Sequence, residues 1–431
     1  MKTKLAAALS ALCLLSGCAL SADTEALLRA PQLSGESRAL QKALNSYLNT
    51  AVTLKYPDNG DFLSPFAFGD WDGDGDDEAA VLYTADSTGT NVWLAVLEAD
   101  VDGDGWHVSQ TVEGLSGEVE VFSAAHLRDT VSQQLIAGYT SAQGDSYLVV
   151  YRYADGSLNT VISQSYTNMI LADFTGKGDT QDLVLALPAE RDFGGVALQL
   201  LTNVDGEFRS AQTLNLGEGI YTGCAALQAG RGIDQHTYLV MDAYSDSGSL
   251  VSDIITYDEE TGFLQSYHPP GVSSVFAGTR RYDTTLLSCD IDQNGTVDIP
   301  VEAEDGGVIV SPLDKRLRFV VWQDYAGENG GKSTFGVYDA SNRIFYGLPP
   351  ALRKNVMLRP LANGNGWQVC SQQGTVTYCE LRMVEATAAD NEQYTRIANV
   401  GSQQLQVRVL TTYAGLTVEY IQKHTVLLGA E

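Results

Sequence analysis

Hydrophobic positions along this chain follow two periods, and only one short stretch follows the helical one. Between Ser37 and Leu48, Leu40, Leu44, Tyr47 and Leu48 recur at helical spacing, with Ser34 available as an N-cap, which predicts one short amphipathic helix. After it the chain breaks into short apolar runs separated by turn residues: Ala79 to Tyr83, Val92 to Leu97, Leu135 to Tyr139, Tyr147 to Tyr153, Tyr238 to Val240. Asp-Gly pairs at Asp104-Gly105, Asp155-Gly156 and Asp205-Gly206 mark turns before further strands. Many short strands joined by turns, with abundant Gly, Thr, Val and Tyr, predict an all-β fold.

An acidic loop interrupts this pattern at Phe68-Gly69-Asp70-Trp71-Asp72-Gly73-Asp74-Gly75-Asp76-Asp77-Glu78, with six carboxylates in nine residues. Like charges so close repel one another, and a folded loop of this composition calls for a counter-ion. Oxygen ligands at positions 1, 3, 5 and 9 of a turning loop suit a hard cation such as Ca²⁺. Asp70, Asp72, Asp74 and Glu78 are the expected side-chain ligands, and Asp76 offers its backbone carbonyl. The pattern recurs at Asp290, Asp292, Asn294 and Asp298, where Gly295 makes the sharp turn and Thr296 gives its carbonyl. Fewer charges there predict weaker binding. A third copy, Asp173 to Asp182, keeps both glycines, but Lys177 replaces the fifth-position ligand and the last carboxylate is displaced by one, so a turn without metal is expected. Asp100 to Gly105 lacks the final carboxylate and is read as a hairpin turn.

With positions 126 and 228 added, these loops fall about 55 residues apart, and three or four strands per repeat is the size of a propeller blade. The Phe-Gly-Asp start, the Asp72-Gly73-Asp74-Gly75 core and Glu78 resemble the FG-GAP, or VCBS, repeat of integrin-α-type propellers. That resemblance covers roughly residues 60 to 325 and implies a β-propeller of about five to seven blades, with Ca²⁺ held structurally between two strands of a blade. The layout also resembles uncharacterised surface lipoproteins of Gram-positive bacteria, a likeness that carries no activity. From Leu317 the repeat marker is lost. The expected organisation is therefore a leader over 1–17, a tether and helix over 18–58, a propeller over 59–315, and over 316–431 a smaller β-rich domain, with remaining blades as the alternative.

The N-terminus bears on location. Lys2 and Lys4 precede an apolar run from Leu5 to Leu15 of signal-peptide length, and Leu15-Ser16-Gly17-Cys18 resembles the bacterial lipobox. Lipid attachment at Cys18 and an extracellular position on the cell membrane follow as expectations. A net charge of −28 argues against nucleic acid or an anionic membrane surface as a partner. Cys370 and Cys379 flank a stretch that could turn at Gly374-Thr375, which would set them opposite each other as a disulfide; two free buried thiols are the equal alternative. Cys224 and Cys289 read as small core residues.

Catalytic constellations are thin. The five histidines show no metal-ligand spacing, and neither a Gly-x-Ser-x-Gly elbow nor a phosphate loop is present. No catalytic residue is assigned. The favoured expectation is a surface module that binds a protein or a glycan, the alternative a secreted carbohydrate-active lyase or hydrolase on a propeller scaffold.

Overall fold

The computed structural model describes residues 35–429 except 86–90, 101–104, 189–193, 233–234, 269–274, 326–331 and 388–392. The leader, Cys18 and the tether lie outside the described residues. The predicted helix forms as α1 (Gly35–Leu48) and buries Leu40 and Leu44.

Among the described residues six sheets follow, the first four in chain order. The first comprises β1 (Thr53–Leu54), β2 (Phe66–Gly69), β3 (Glu78–Thr84), β4 (Trp93–Ala99) and β5 (Trp106–Glu113). Four-stranded meanders come next. The second sheet is β6 (Glu118–Ala125), β7 (Gln134–Thr140), β8 (Ser146–Ala154) and β9 (Ser157–Tyr166). The third is β10 (Asn168–Ala172), β11 (Asp182–Ala186), β12 (Val196–Val204) and β13 (Glu207–Leu216). The fourth is β14 (Tyr221–Arg231), β15 (Thr237–Ser245), β16 (Leu250–Asp258) and β17 (Phe263–Ser266), followed by a single helical turn, α2 (Val275–Gly278).

Beyond it the strands interleave: β18 (Asp298–Glu302), β19 (Val308–Ile309), β20 (Leu317–Asp324), β21 (Ser333–Asp339), β22 (Ile344–Gly347), β23 (Val356–Pro360), β24 (Gly366–Ser371), β25 (Thr377–Glu385), β26 (Thr395–Val400), β27 (Gln403–Val409), α3 (Val418–Lys423) and β28 (Thr425–Leu427). Strands β18, β20, β21, β22 and β28 make the fifth sheet; β19, β23, β24, β25, β27 and β26 make the sixth. Pairing is antiparallel except between β19 and β23. The expected boundary at 315/316 falls between β18 and β20, which are hydrogen-bonded from Asp298↔Asp324 to Glu302↔Val320.

The sheets stack face to face like propeller blades, and the alternation of side chains in their central strands explains why. In β3, Ala79, Val81 and Tyr83 face α1, while Ala80 and Leu82 face the second sheet. In β11, Leu183 and Leu185 pack on the second sheet, Val184 and Ala186 on the fourth. In β20, Val320 and Trp322 pack toward Leu286 and Ile291, whereas Phe319 and Val321 join the sixth sheet. A strand buried on both faces reads as an unbroken apolar run, which is how these segments stand in the sequence. Among the described residues no core cluster joins the first sheet to the sixth. The sixth sheet instead turns outward a polar face on which Arg382 lies 3.7 Å over the Tyr394 ring and Gln368 bonds Glu380 at 2.8 Å.

Two features correct the sequence-based expectations. A β-bulge between Val369 and Cys370 shifts the β24–β25 register, so Cys370 faces Thr377 and Cys379 faces Val369. Of the two alternatives for this pair, the disulfide is therefore absent and both thiols are free and buried. Around position 228, β14 runs on to Arg231 with Gln228 opposite Val240, so a hairpin replaces the loop expected there.

A buried ion pair ties the fourth sheet to the segment entering the fifth. Arg281 and Asp242 are fully buried and 2.7 Å apart. Asp242 also accepts the Ser252 and Ser288 hydroxyls and the Ser288 N–H, at 2.6, 2.7 and 2.6 Å. Removing one partner strands the other charge in the core. Asp242→Ala should therefore cost about 3–5 kcal/mol of unfolding free energy by urea titration, whereas Glu118→Ala, which breaks the exposed Lys55–Glu118 pair, should cost no more than about 1 kcal/mol. Equal effects would mean the buried pair contributes nothing special.

Candidate metal centres and the adjoining cavity

Each acidic loop is built on the same local hydrogen bonds. In the first, both carboxylate oxygens of Asp70 accept backbone N–H groups: Oδ1 from Gly73 at 2.6 Å and Asp74 at 3.1 Å, Oδ2 from Gly75 at 3.0 Å. In the second, Asp290 accepts the N–H of Asn294 at 3.0 Å and of Gly295 at 2.7 Å. In the third, Asp173 accepts those of Lys177 at 3.0 Å and Gly178 at 2.8 Å. This tight wrap needs the left-handed backbone region at the fourth and sixth positions, occupied by Gly73 and Gly75, Gln293 and Gly295, and Gly176 and Gly178.

The last loop residue closes the turn. Glu78 Oε2 accepts the Trp71 N–H at 2.8 Å, and Asp298 Oδ2 accepts the Ile291 N–H at 3.2 Å. Asp182 Oδ2 accepts the Thr175 N–H at 2.7 Å, so the displaced carboxylate is matched by an equally displaced donor. The same clasp appears at the degenerate second repeat, where Gln134 Oε1 accepts the Leu127 N–H at 2.9 Å. In all four the partners are seven residues apart.

Among the described residues, two carboxylate groups are able to hold a metal ion: Asp70, Asp72 and Glu78, and Asp290, Asp292 and Asp298, whose ligand oxygens lie within 4.8 Å of one another. Asp74 and Asp76 stand outside the first cluster, Asp74 Oδ1 accepting the Asp76 N–H at 2.9 Å. Asn294 abuts the second, its Oδ1 accepting the Thr296 N–H at 2.7 Å. An all-oxygen donor set on a glycine-rich turn fits a hard divalent cation. At the third loop the Lys177 ammonium reaches away to the Thr202 hydroxyl at 3.4 Å and the Asn203 carbonyl. Thr202 in turn donates to Asp182.

Electrostatics separates the loops in the same way. Burial pushes Glu78 up to about 7, with the charges of Asp72, Asp74 and Asp70 adding to it against the Trp71 N–H bond. Burial likewise lifts Asp298 to about 7, reinforced by Asp292, Asp324 and Asp290 and opposed by the Ile291 N–H. Asp72 is raised by burial, then by Asp74, Asp70 and Glu98. Two of these neighbours, Glu98 and Asp324, were missed by local sequence reading. Asp324 faces Asp298 directly across β18 and β20. Glu98 stands one step beyond the Ala79↔Leu97 pair, opposite Glu78. At the third loop that cross-strand place is held by Thr202, one step beyond Leu183↔Leu201, and at the second repeat by Arg152, one step beyond Leu135↔Tyr151. Only the two metal-capable loops face a further acid.

The loops also bond to their neighbours. The Gln133 N–H donates to the Asp70 carbonyl at 3.2 Å, Gln181 to His126 at 2.8 Å, and Arg231 to Gly295 at 2.8 Å. Between them lies a cavity of about 860 Å³ walled by His126, Asp173, Asp179, Gln181, Arg231 and His236, with Gly295 of the second metal-capable loop at its edge. None of these wall residues was singled out as a ligand-binding residue from sequence, although Asp173 and His126 opened two of the repeat units.

No protein-family model matches the sequence, and no curated protein does. Similar solved structures include a putative 6-phosphogluconolactonase from Bacteroides uniformis, 12% identical over 78% of this chain and 92% of that one, with a TM-score of 0.31. The periplasmic gluconolactonase of Pseudomonas aeruginosa is 16% identical over 62% and 79%, with a TM-score of 0.30. Rhamnogalacturonan lyase YesW is 15% identical over 56% and 59%, with a TM-score of 0.24. Superpositions this loose transfer no site residue.

For a carboxylate whose pKa is raised by folding, the metal-free protein keeps that group's stabilising contribution below the ordinary carboxylate range and loses it as pH rises through about 7. Metal binding requires the deprotonated form. A chelator should therefore lower the melting temperature most above pH 7, and Ca²⁺ should restore it; each site held at about 100 times its Kd adds about 2.7 kcal/mol. Glu78→Gln preserves an acceptor for the Trp71 N–H, as Gln134 does for Leu127, so it should leave the chelated protein folded while removing about half of the calcium response. With Asp298→Asn added, the response should vanish. A full calcium response in that double variant would exclude both loops as the metal sites.

Proposed function

We propose that this chain is a calcium-stabilised, lipid-anchored extracellular binding module of FG-GAP type, with a β-propeller-like body that holds a glycan in the cavity between its loops. The observation that carries this reading is that the second metal-capable loop borders the cavity at Gly295 and its carbonyl holds the backbone of Arg231. Calcium is then structural. It neutralises the acids at each loop and stiffens the rim on which the ligand rests.

The cavity's chemistry favours a polyhydroxylated ligand. Imidazole, guanidinium, amide and carboxylate groups line it, while glycines at 176, 178 and 295 leave backbone groups open to close approach. Residues 316–431 complete the array on this reading, supported by the pairing of β18 with β20 and by the core shared between the fifth and sixth sheets. The alternative, a carbohydrate-active lyase or hydrolase, draws on the presence of Arg231 and two histidines in one cavity. Among the described residues of that wall there is no tyrosine to act as acid or base beside them, so binding is the better-supported reading.

The test is a glycan array followed by calorimetry on the best binder. Arg231→Ala and Gln181→Ala should each weaken binding about tenfold or more, and chelation should weaken it further; undiminished affinity in both variants would remove the cavity from the function. Cleavage of the bound glycan would replace the binding reading with the enzymatic one. The anchor is tested separately: Cys18→Ser should move the protein from the membrane fraction to the medium, and continued membrane association would sink the lipidation reading.

A further inference from the structure

A second cavity, of about 720 Å³, lies beside the first, with His236 and Thr237 in the wall of both. Its lining differs in kind. Three tyrosines, Tyr238, Tyr257 and Tyr267, and three consecutive acids, Asp258, Glu259 and Glu260, face it, and neither lysine nor arginine is among its described lining residues. Tyr238 is buried and Tyr257 and Tyr267 are half-buried, while Glu259 and Glu260 are exposed, so the aromatic groups sit deeper than the carboxylates. The one basic group among the described lining residues, His236, lies 3.6 Å from Glu259.

From this arrangement we infer that the second cavity is a binding site for an organic ammonium ion, such as a choline-like or methylated amine group. Aromatic rings attract a cation through their quadrupole, and carboxylates at the mouth draw it in and exclude anions. Other ligand classes fit less well. An anionic ligand meets three carboxylates and no arginine or lysine. A bare divalent cation needs converging oxygens, and these acids form no metal-capable cluster among the described residues; the Asp258 carboxylate is turned instead into its own β-turn, accepting the Glu260 N–H at 2.9 Å. A neutral sugar would use the rings but leave the charge without a role.

The cavity is also braced from a metal-capable loop. The Tyr238 hydroxyl accepts the Val297 N–H at 2.6 Å, and Val297 directly precedes Asp298. A metal held by Asp290, Asp292 and Asp298 would therefore fix one wall of the ammonium site. This inference does not depend on the glycan reading, since it uses a different cavity.

The experiment is calorimetry or ligand-observed NMR in saturating Ca²⁺, with choline as probe and its uncharged carbon isostere, dimethylbutanol, as control. Choline should bind saturably and the isostere about tenfold more weakly or not at all. Tyr257→Leu should weaken choline about tenfold, while Tyr257→Phe should keep it. Glu260→Gln, at an exposed position with little bearing on folding, should weaken choline several-fold and reduce the salt dependence. Equal binding of choline and its isostere would make the cavity a plain apolar slot and overturn the inference, as would choline affinity unchanged by both Tyr257→Leu and Glu260→Gln. No saturable choline binding by the folded wild type would overturn it as well.

Discussion

A single clasp, the last side-chain oxygen of a loop accepting the backbone N–H seven residues earlier, sets the geometry on which the repeated sheets depend. It appears between Glu78 and Trp71, Gln134 and Leu127, Asp182 and Thr175, and Asp298 and Ile291. The clasp fixes where the next strand begins, because the clasping residue is itself the first of β3, β7, β11 or β18. It also drives an apolar side chain into the space between sheets: Trp71, Leu127, Phe174 and Ile291 are all buried there. A turn, a strand start and an inter-sheet plug therefore come from one short segment. The first, second, third and fifth sheets use it, whereas the fourth packs on the third without it, a β14–β15 hairpin taking the place of the loop.

The clasp requires an acceptor but not a charge, and the chain exploits that freedom. At the second repeat a neutral amide does the work. At the third, Asp182 is raised by burial, yet two threonines and a backbone N–H answer it. At the first and fourth clasps the carboxylate meets two or more further carboxylates, including a cross-strand acid, and no basic side chain lies in either cluster. Burying several like charges together is costly unless protons or a cation neutralise them. The same backbone is thus satisfied internally in two repeats and carries a carboxylate cluster able to take an external cation in two others.

This division explains what was legible from sequence. The loops at Asp70 and Asp290 were readable because their oxygens lie within nine consecutive residues, and the Lys177 substitution in the third loop was readable for the same reason. The all-β class and the helix followed from hydrophobic period alone. Glu98 and Asp324 were not, since they reach the loops only through strand register. Register also defeated the Cys370–Cys379 pairing, where one bulge moved the cysteines out of alignment. The change of texture after Leu317 suggested a separate unit, yet β20 carries one core on each face and belongs to the array before it as much as to the sheet after it. The two cavities were invisible because each is assembled from several loops that sequence spacing does not bring together.

What connects the metal-capable loops to the cavities is again backbone hydrogen bonding rather than side-chain contact with a ligand. Gly295 holds Arg231 for one cavity, and Val297 holds Tyr238 for the other, so the loop at Asp290 stands between two differently lined sites. The loop at Asp70 has no such place; its carbonyl bonds Gln133 and its neighbours are packed side chains of the first two sheets. The loop with more charge thus braces the body, and the less charged loop braces the walls of the two cavities. Weaker metal affinity at the second loop would then be a useful property, because changes in external calcium would alter the cavity walls before they threatened the fold.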